Sequence, residues 1–512
     1  MAAPALPNPW PWPLITLISS IFIFPLLYLF FRSGRQRARN APGPPKQLPV
    51  LGNLLQLGSR PHRYFQAVAR KYGPVVQVQL GRVRMVVVAS PEAAKEVLRT
   101  NDLHCCSRPN SPGARMLSYN FLDVAFGPYS DYWREMRKLL VVELLSTRRV
   151  QSFAYARAAE VDRLVDSLAA TPPAIPVNLS EKLYALSDGI IGTVAFGKMY
   201  GSASFERSSF QQMMDETLRV LGSFTFEDFF PSSALARWAD VLTGAAPRRR
   251  RVFRKIDAFF DAVIDKHLEP ERLAAGVQED MVDALVKMWR DGDGQEGPLA
   301  LTRENIKGIL MDTFTGGIDT CAVTTIWIMS ELMRNPRVMQ KAQSEVRAAV
   351  TNKPRVGEED VHHLKYLKMI LKENFRLHPP GTLLIPRETM QSCKIAGYSV
   401  PAGTRIHVNV WAMGRDPDIW DTPEDFYPER FQDTDVDFRG SHFELLPFGS
   451  GRRACPAIAM GVANVELVLA NLLYCFDWEL PEGMKEQDID MEETGQLVFR
   501  KKVPLSLVPV KH

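Results

Sequence analysis

The sequence lacks the features that mark several large classes of proteins. It has six cysteines in 512 residues, and none of them shows the paired spacing of a zinc site. Its formal net charge is only +4, which gives no argument for a nucleic-acid partner. No internal repeat and no linker rich in glycine and serine divides residues 50–512. We therefore expect one large domain in a reducing compartment.

Charged side chains are also absent from residues 1–31. Residues 14–31 are overwhelmingly apolar, and a run of about 18 residues is the lower limit for a membrane-spanning helix. A signal peptide is the alternative, but the basic start that it needs is missing. Four arginines follow within residues 32–39, so the remainder is expected to lie in the cytoplasm. We predict a membrane anchor over residues 1–31 and a basic, proline-rich hinge over residues 32–49.

The remaining chain, residues 50–512, has mostly helical periodicity. Two short strands at 75–80 and 83–89 are expected to form a hairpin, and residues 393–409 read as further short strands. The longest predicted helix covers residues 302–333, with Thr302 as its N-cap. Other predicted helices cover residues 91–100, 129–144, 253–268 and 337–349. The predicted fold class is therefore mainly α with a small β-rich lobe.

Residues 447–456, Pro-Phe-Gly-Ser-Gly-Arg-Arg-Ala-Cys-Pro, form the most specific motif. The glycines let a loop approach a flat ligand closely, and the arginines favour ionisation of the Cys455 thiol. A lone cysteine is more often a small buried apolar residue. Residues 449–454 also match the dinucleotide pattern G-x-G-x-x-A, but no second strand with a suitable acidic residue follows.

The motif resembles the haem-binding loop of the cytochrome P450 monooxygenases, carried here by Phe448, Gly451, Arg453 and Cys455. Ala457 replaces the final glycine of the family pattern. The resemblance implies a cytochrome P450 fold, haem b as cofactor and Cys455 as the axial ligand of its iron. It also places Phe448 and Gly449 against the haem.

Two glycines stand in the middle of the longest predicted helix, in the run Gly316-Gly317-Ile318-Asp319-Thr320. Two mid-helix glycines cost about 2 kcal/mol relative to alanine. The run resembles the oxygen-activation motif of the family, which implies catalytic roles for Thr320 and Asp319 in delivering protons for O–O cleavage. A flexible glycine pair in a packed helix is the alternative.

Three further charged residues are predicted to be structural. Glu373 and Arg376 lie three positions apart on one helical face and can pair, although most such pairs are solvated surface bridges. The family resemblance adds Arg430 to this pair. It also implies that the haem propionates bind to four other side chains: Trp133, Arg137, Arg387 and Arg453.

The resemblance extends over the whole chain and implies a membrane-anchored haem-thiolate monooxygenase of the endoplasmic reticulum, of the plant microsomal type. No convincing flavin or nicotinamide site is present, so electrons are expected to come from NADPH through a separate NADPH-cytochrome P450 reductase. O2 and a small apolar substrate are the other partners.

Several segments are similar to the aldoxime-metabolising enzymes of grasses, which implies conversion of an aldoxime through a nitrile to a hydroxynitrile. Hydroxylation of a terpenoid, indole or phenolic compound is the alternative within the family. A haem-thiolate isomerase or dehydratase and a non-catalytic haem binder are the alternatives outside it.

A basic cluster at residues 248–255 and an aromatic loop at residues 224–230 carry a weaker prediction. The cluster is either a solvated helix start or a surface that docks on anionic lipid headgroups. The loop either contacts the membrane or packs in the core.

Overall fold

A computed structural model describes residues 40–44, 48–201, 205, 207–270, 272, 279–291 and 301–512. The predicted membrane anchor at residues 1–31 lies outside this set, as does most of the predicted hinge.

Helices make up most of the described chain, which confirms the mainly α fold class. They are α1 (Pro61–Tyr72), α2 (Pro91–Lys95), α3 (Asp102–Cys105), α4 (Pro112–Leu117), α5 (Asp131–Leu139), α6 (Thr147–Ser152), α7 (Ala154–Ala169), α8 (Leu179–Phe196), α9 (Arg207–Gly222), α10 (Phe226–Phe229), α11 (Ala234–Leu242), α12 (Ala245–His267), α13 (Met281–Asp291), α14 (Arg303–Arg334), α15 (Pro336–Ala349), α16 (Glu358–Val361), α17 (Lys365–Leu377), α18 (Val410–Met413) and α19 (Ile458–Cys475).

The strands are short and form small sheets. They are β1 (Val75–Leu80), β2 (Val83–Val88), β3 (Val177–Asn178), β4 (Arg387–Glu388), β5 (Cys393–Ile395), β6 (Tyr398–Val400), β7 (Arg405–Val408), β8 (Phe476–Glu479), β9 (Glu493–Gly495), β10 (Phe499–Lys501) and β11 (Ser506–Lys511). The largest sheet has the order β1-β2-β7-β4, in which β1 and β2 form the predicted hairpin and β2 runs parallel to β7. The backbone N–H of Gln77 in β1 donates to the Pro42 carbonyl at 2.8 Å, which holds the described part of the hinge against this sheet.

Helix α14 organises the helical body. The Thr302 hydroxyl accepts from the Asn305 N–H, and the Asn305 side chain accepts in return from the Thr302 N–H at 2.7 Å, so this end is capped reciprocally. Its 32 residues span about 48 Å. Apolar side chains surround most of its circumference, as expected for a helix buried on all sides. It packs along α8 and α19, and it therefore reaches across the core from one side to the other.

Helix α19 is long and apolar enough to cross a membrane by length and composition. More than half of it is buried inside the protein, where it packs against α14, α7 and α15. Its apolar character is thus explained by its place in the core.

Candidate active site

Cys455 ends a tight loop that folds back on itself just before α19. Its backbone N–H donates to the Phe448 carbonyl at 2.9 Å, and Gly449 and Gly451 both adopt positive φ. A Cβ on Gly451 would lie 2.2 Å from the carbonyl oxygen of Leu98. Glycine is therefore required at position 451 both by the backbone conformation and by the close approach of a neighbouring turn.

The Cys455 side chain is partly accessible, but the surrounding protein shields its thiol from bulk water. Burial raises the pKa of the thiol, while the Ala457 backbone N–H and the Arg137 charge act in the opposite direction. A thiol whose pKa is raised above its ordinary value is neutral at pH 7. A bound metal ion would be needed to ionise it at neutral pH.

An aromatic cluster supports the start of this loop. The Phe448 ring lies 5.1 Å from the Phe375 ring and 5.7 Å from the Phe438 ring. At Gly449 the nearest atom to an added Cβ would be Leu384 Cδ1, at 3.6 Å. The loop is consequently rigid on its protein side and open on the other.

The two mid-helix glycines of α14 have different roles. A Cβ on Gly317 would lie 2.6 Å from Ile191 Cδ1, so this glycine lets α14 approach α8 closely. A Cβ on Gly316 would meet no atom within 4 Å, and Gly316 is exposed although the helix around it is largely buried. The Thr320 hydroxyl donates to the Gly316 carbonyl at 2.7 Å. Gly316 and Thr320 therefore border an open space at the middle of the helix.

This part of α14 also contacts α19, the helix that follows the Cys455 loop. Cys321 follows Thr320, and the Asn464 amide of α19 lies 4.0 Å from its sulfur. Cys455 is near enough to raise the pKa of the Cys321 thiol, although burial is the larger cause. Cys455 and this part of α14 are therefore close in space.

Asp319 lies beside Thr320 in a partly buried position. Burial raises its pKa to about 6, with Arg500 lowering it and Asp215 raising it. A carboxyl group with this pKa exchanges its proton near neutral pH, which suits a proton-delivery role.

The raised pKa of Asp319 predicts a pH-dependent effect of Asp319→Asn on stability. Because the folded-state pKa of about 6 exceeds the ordinary value of 3.8, the wild-type protein loses stability as pH rises through this window. Asparagine has no such titration. We expect the melting temperature of Asp319→Asn, relative to wild type, to be higher at pH 7.5 than at pH 4, measured by thermal unfolding. Exposed Asp421→Asn serves as control, and an equal difference at both pH values would contradict the assignment.

Arg453 and Trp133 form the centre of a buried cationic cluster. The Arg453 guanidinium stacks 3.8 Å over the Trp133 ring, and it donates to the carbonyls of Cys106 and Gly127, each at 2.6 Å. The indole N–H of Trp133 donates to the Val124 carbonyl at 2.9 Å. The indole N–H is the only side-chain donor of Trp133. Trp133 would therefore have to give up its bond to the Val124 carbonyl in order to bind a propionate.

Arg387 and Arg137 reach the same region from other elements. Arg387, in β4, donates to Asp102 at 2.6 Å and to the Ser450 carbonyl at 2.7 Å. Arg137, in α5, donates to the Ala454 carbonyl at 2.5 Å, next to Cys455. The structure thus brings all the predicted propionate-binding residues around the Cys455 loop.

Positive charge exceeds negative charge in this cluster. Burial lowers the pKa of Arg453 to about 9, and the charges of Arg387 and Arg137 act in the same direction. Asp102 is the carboxylate that pairs with Arg387, whereas burial and the neighbouring Asp312 raise the pKa of the nearby Asp123. Buried cations in excess of their partners are stabilised by an anionic ligand.

Haem b fits this site on three observations. The Cys455 thiol is partly accessible, a stretch of α14 with an exposed mid-helix glycine lies near it, and the surplus of buried guanidinium groups matches the two propionates. Arg137, Arg387 and Arg453 would hold the propionates, and Cys455 would bind the iron.

Glu373, Arg376 and Arg430 meet at α17, the helix whose Phe375 contacts Phe448 at the start of the Cys455 loop. Arg376 forms two bonds to the Glu373 carboxylate, at 2.7 and 2.8 Å, and Arg430 Nε adds a third at 3.0 Å. The Tyr427 N–H also donates to Glu373, and Arg376 donates to the Gly414 carbonyl. Glu373 is fully buried, so this ion-pair group is not a solvated surface bridge, which was the alternative for Glu373 and Arg376 in the sequence.

Two buried residues of the site were not identified from the sequence. Asp102 accepts from Arg387 and from the Arg452 side chain, at 2.9 Å, and thereby joins α3 to the Cys455 loop. Arg108 donates to the carbonyls of Ala125 and Ile385, at 2.9 and 2.7 Å. Both lie in residues 102–112, where their charge is the only signal that the local sequence gives.

The dinucleotide-binding alternative for residues 449–454 does not match the fold. These residues form a turn and the short 3-10 helix Gly451–Arg453, and no strand leads into them. A Rossmann motif would connect a strand directly to a helix.

Comparison with known proteins agrees with this geometry. The pattern of the family "Cytochrome P450" matches residues 42–507. The 4-hydroxyphenylacetaldehyde oxime monooxygenase of Sorghum bicolor is 50% identical over 521 residues, covering 99% of this chain and 97% of that protein. The 2-methylbutanal oxime monooxygenase of Manihot esculenta is 47% identical, covering 97% of this chain and 96% of that protein.

A solved structure shows the same fold. A zebra fish cytochrome P450 with abiraterone superposes with a TM-score of 0.74 at 23% identity, covering 89% of this chain and all of that one. The family resemblance and the haem cofactor are confirmed. The chain therefore belongs to the cytochrome P450 family and is a monooxygenase that uses haem b and receives electrons from a reductase partner.

Proposed function

We propose that this enzyme converts an aldoxime to a hydroxynitrile in two steps at one site. The first step removes water from R-CH2-CH=NOH and leaves the nitrile R-CH2-CN. The second step uses O2, two electrons and two protons to place a hydroxyl group on the α-carbon, with water as the other product. The observation that carries this proposal is the identity of 50% and 47%, over nearly the whole chain, to two enzymes named as oxime monooxygenases.

The residues of the site divide between these steps. Bound haem supplies the redox-active iron, and ligation by a thiolate favours O–O cleavage. Cys455 serves as that ligand, and Arg137, Arg387 and Arg453 orient the haem through its propionates. Asp319 and Thr320 pass protons toward the oxygen in the hydroxylation step only, because dehydration consumes no O2 and no net protons.

This division predicts that Thr320→Ala accumulates the nitrile. Loss of the hydroxyl removes proton delivery to the second step, so the ratio of nitrile to hydroxynitrile should rise about tenfold or more. Products formed from an aldoxime are measured in microsomes that contain the enzyme, a reductase and NADPH. Thr324→Ala is the matched control, because the Thr324 hydroxyl makes the same bond one turn later, to the Thr320 carbonyl at 2.7 Å. Equal loss of both steps in Thr320→Ala would contradict the division.

The substrate class is tested by spectral titration. Aldoximes are expected to bind to the haem-loaded enzyme and to shift its Soret band at low micromolar concentration. Terpenoids, indoles and phenolic compounds should give shifts only at much higher concentration. Tight binding and turnover of one of these classes, without a response to aldoximes, would replace the proposed substrate.

We also infer that the enzyme is anchored in the endoplasmic reticulum membrane with its catalytic domain in the cytoplasm. The uncharged residues 1–31 and the arginines that follow support this orientation. NADPH-cytochrome P450 reductase is the proposed electron donor on the same membrane.

An exposed apolar face supports contact with the membrane. We define this apolar face as Phe224, Phe226, Leu235, Trp238 and Leu242. Leu235 and Leu242 are each 82% exposed, and Trp238 is 66% exposed. The last three share one face of α11, with spacings of three and four residues, and this face points away from the core. The rest of the aromatic loop, Phe229 and Phe230, is partly buried. A contiguous patch of this kind is typical of an interaction surface.

A further inference from the structure

A second cavity lies away from the haem site, at the start of α12. Its volume is about 260 Å³. The end of α9, the loop that follows it and the first turn of α12 surround it. Its polar lining consists of Ser223, Thr225, Thr243, Gly244, Arg248 and Arg249. Among the described lining residues there is no carboxylate, so the cavity is cationic.

The first turn of α12 leaves backbone donors free at this cavity. Gly244 is the N-cap with φ +80 and offers no side chain to accept from the turn. Arg248 N–H donates to the Gly244 carbonyl at 3.0 Å, and Pro247 has no N–H. The amides of Ala245 and Ala246 have no acceptor within the described chain. These amides and the positive end of a 23-residue helix favour an anion.

Arg249 provides an independent indication of a ligand. Its side chain lines the cavity, is only 7% exposed and donates to no acceptor among the described residues. Its neighbour Arg248 lies 4.0 Å from Glu216, which accepts a hydrogen bond from Arg251 at 3.1 Å. A buried guanidinium without a counter-charge is costly. The arrangement is therefore completed by an anion with several acceptor oxygens.

The position of the cavity indicates the source of this anion. Phe224 belongs to the apolar face, is 63% exposed and also lines the cavity. Leu242, at the end of α11, lies two residues before Gly244. A ligand with a phosphate in the cavity would therefore place its remaining part along the apolar face. A phospholipid has this combination of groups.

We propose that the cavity binds the phosphate group of a phospholipid headgroup through Arg249, Arg248 and the first-turn amides of α12. The choice of a lipid as the source rests on the membrane contact proposed above, whereas the phosphate chemistry does not. Binding of the headgroup would fix the rotation of the catalytic domain on the membrane surface.

The test uses the full-length holoenzyme in a neutral maltoside detergent, with bound molecules counted by native mass spectrometry. The probes are dihexanoyl phosphatidylglycerol, dihexanoylglycerol without the phosphate, and inorganic phosphate. We expect the phosphatidylglycerol to bind with a 1:1 ratio and Arg249→Gln to weaken it about tenfold or more. Arg250→Gln, an exposed residue of the same turn that does not line the cavity, should change binding less than about twofold.

Each outcome decides one part of the proposal. Equal affinity in wild type and Arg249→Gln, or equal affinity for dihexanoylglycerol, would overturn the phosphate site. Inorganic phosphate that binds as tightly as the lipid, with the same dependence on Arg249, would overturn the lipid as its source. Arg248 is exposed, so Arg248→Gln should not disturb folding, and it should also weaken binding. This variant keeps the site testable if Arg249→Gln does not fold. Failure of the aldoxime assay affects none of these measurements.

Discussion

Glu373→Gln is expected to prevent the protein from accumulating as a folded holoenzyme. The substitution leaves Arg376 and Arg430 without their counter-charge in a region where Glu373 and the Arg376 side chain are fully buried. Removing one partner of a buried ion pair costs about 3–5 kcal/mol. The free energy of unfolding of a domain is only about 5–15 kcal/mol. The backbone bonds that Arg376 makes to Gly414 and Pro423 would weaken as well.

The measurement is the amount of haem per purified chain, together with the unfolding midpoint of the fraction that retains haem. Glu135→Gln is the matched control, because Glu135 pairs with Lys138 three residues further on, at 4.0 Å, and both side chains are exposed. Its effect should stay below about 1 kcal/mol. A Glu373→Gln protein with normal haem content and an unchanged midpoint would show that the buried pair does not support the Cys455 loop.

Cys455→Ser is expected to abolish monooxygenase activity even where haem is retained. A serine hydroxyl does not ionise at neutral pH and does not provide the electron density that thiolate ligation gives to iron. We expect turnover of the aldoxime to hydroxynitrile to fall by about 100-fold or more. The proposed propionate contacts of Arg137, Arg387 and Arg453 do not involve the sulfur, so the fraction that keeps haem tests the sulfur rather than folding.

Cys321→Ser is the control for that substitution. Cys321 is buried at the same site, beside Thr320, but it is not a proposed ligand. Its conversion to serine should leave turnover within about threefold of wild type. Comparable losses for both cysteine variants would remove the distinction between ligand and neighbour.

Local patterns predicted the regular elements well where apolar periodicity and caps coincide. The helix expected at residues 302–333 is found as Arg303–Arg334, with Thr302 as its cap. The helix expected from residue 253 begins instead at Ala245. Its apolar stripe starts only at Val252, and the arginines before it extend the helix through their own propensity. A prediction based on apolar spacing alone therefore began about two turns late.

The sequence predicted only those site residues that stand in short motifs of neighbouring residues. Cys455, Thr320 and Glu373 stand in short runs whose spacing carries chemical meaning. Asp102 and Arg108 pair with groups that are distant in the chain, such as Arg387 and the Ile385 carbonyl, and such contacts leave no local pattern. The different roles of Gly316 and Gly317 also depend on which helix face meets Ile191 and which meets the open space.

The carbon monoxide difference spectrum of the reduced holoenzyme tests the thiolate ligand most directly. We predict a Soret band near about 450 nm for the wild-type protein and near about 420 nm for Cys455→Ser. A wild-type band near about 420 nm in freshly prepared, folded protein, or a band near about 450 nm that persists in Cys455→Ser, would contradict ligation of the iron by this sulfur.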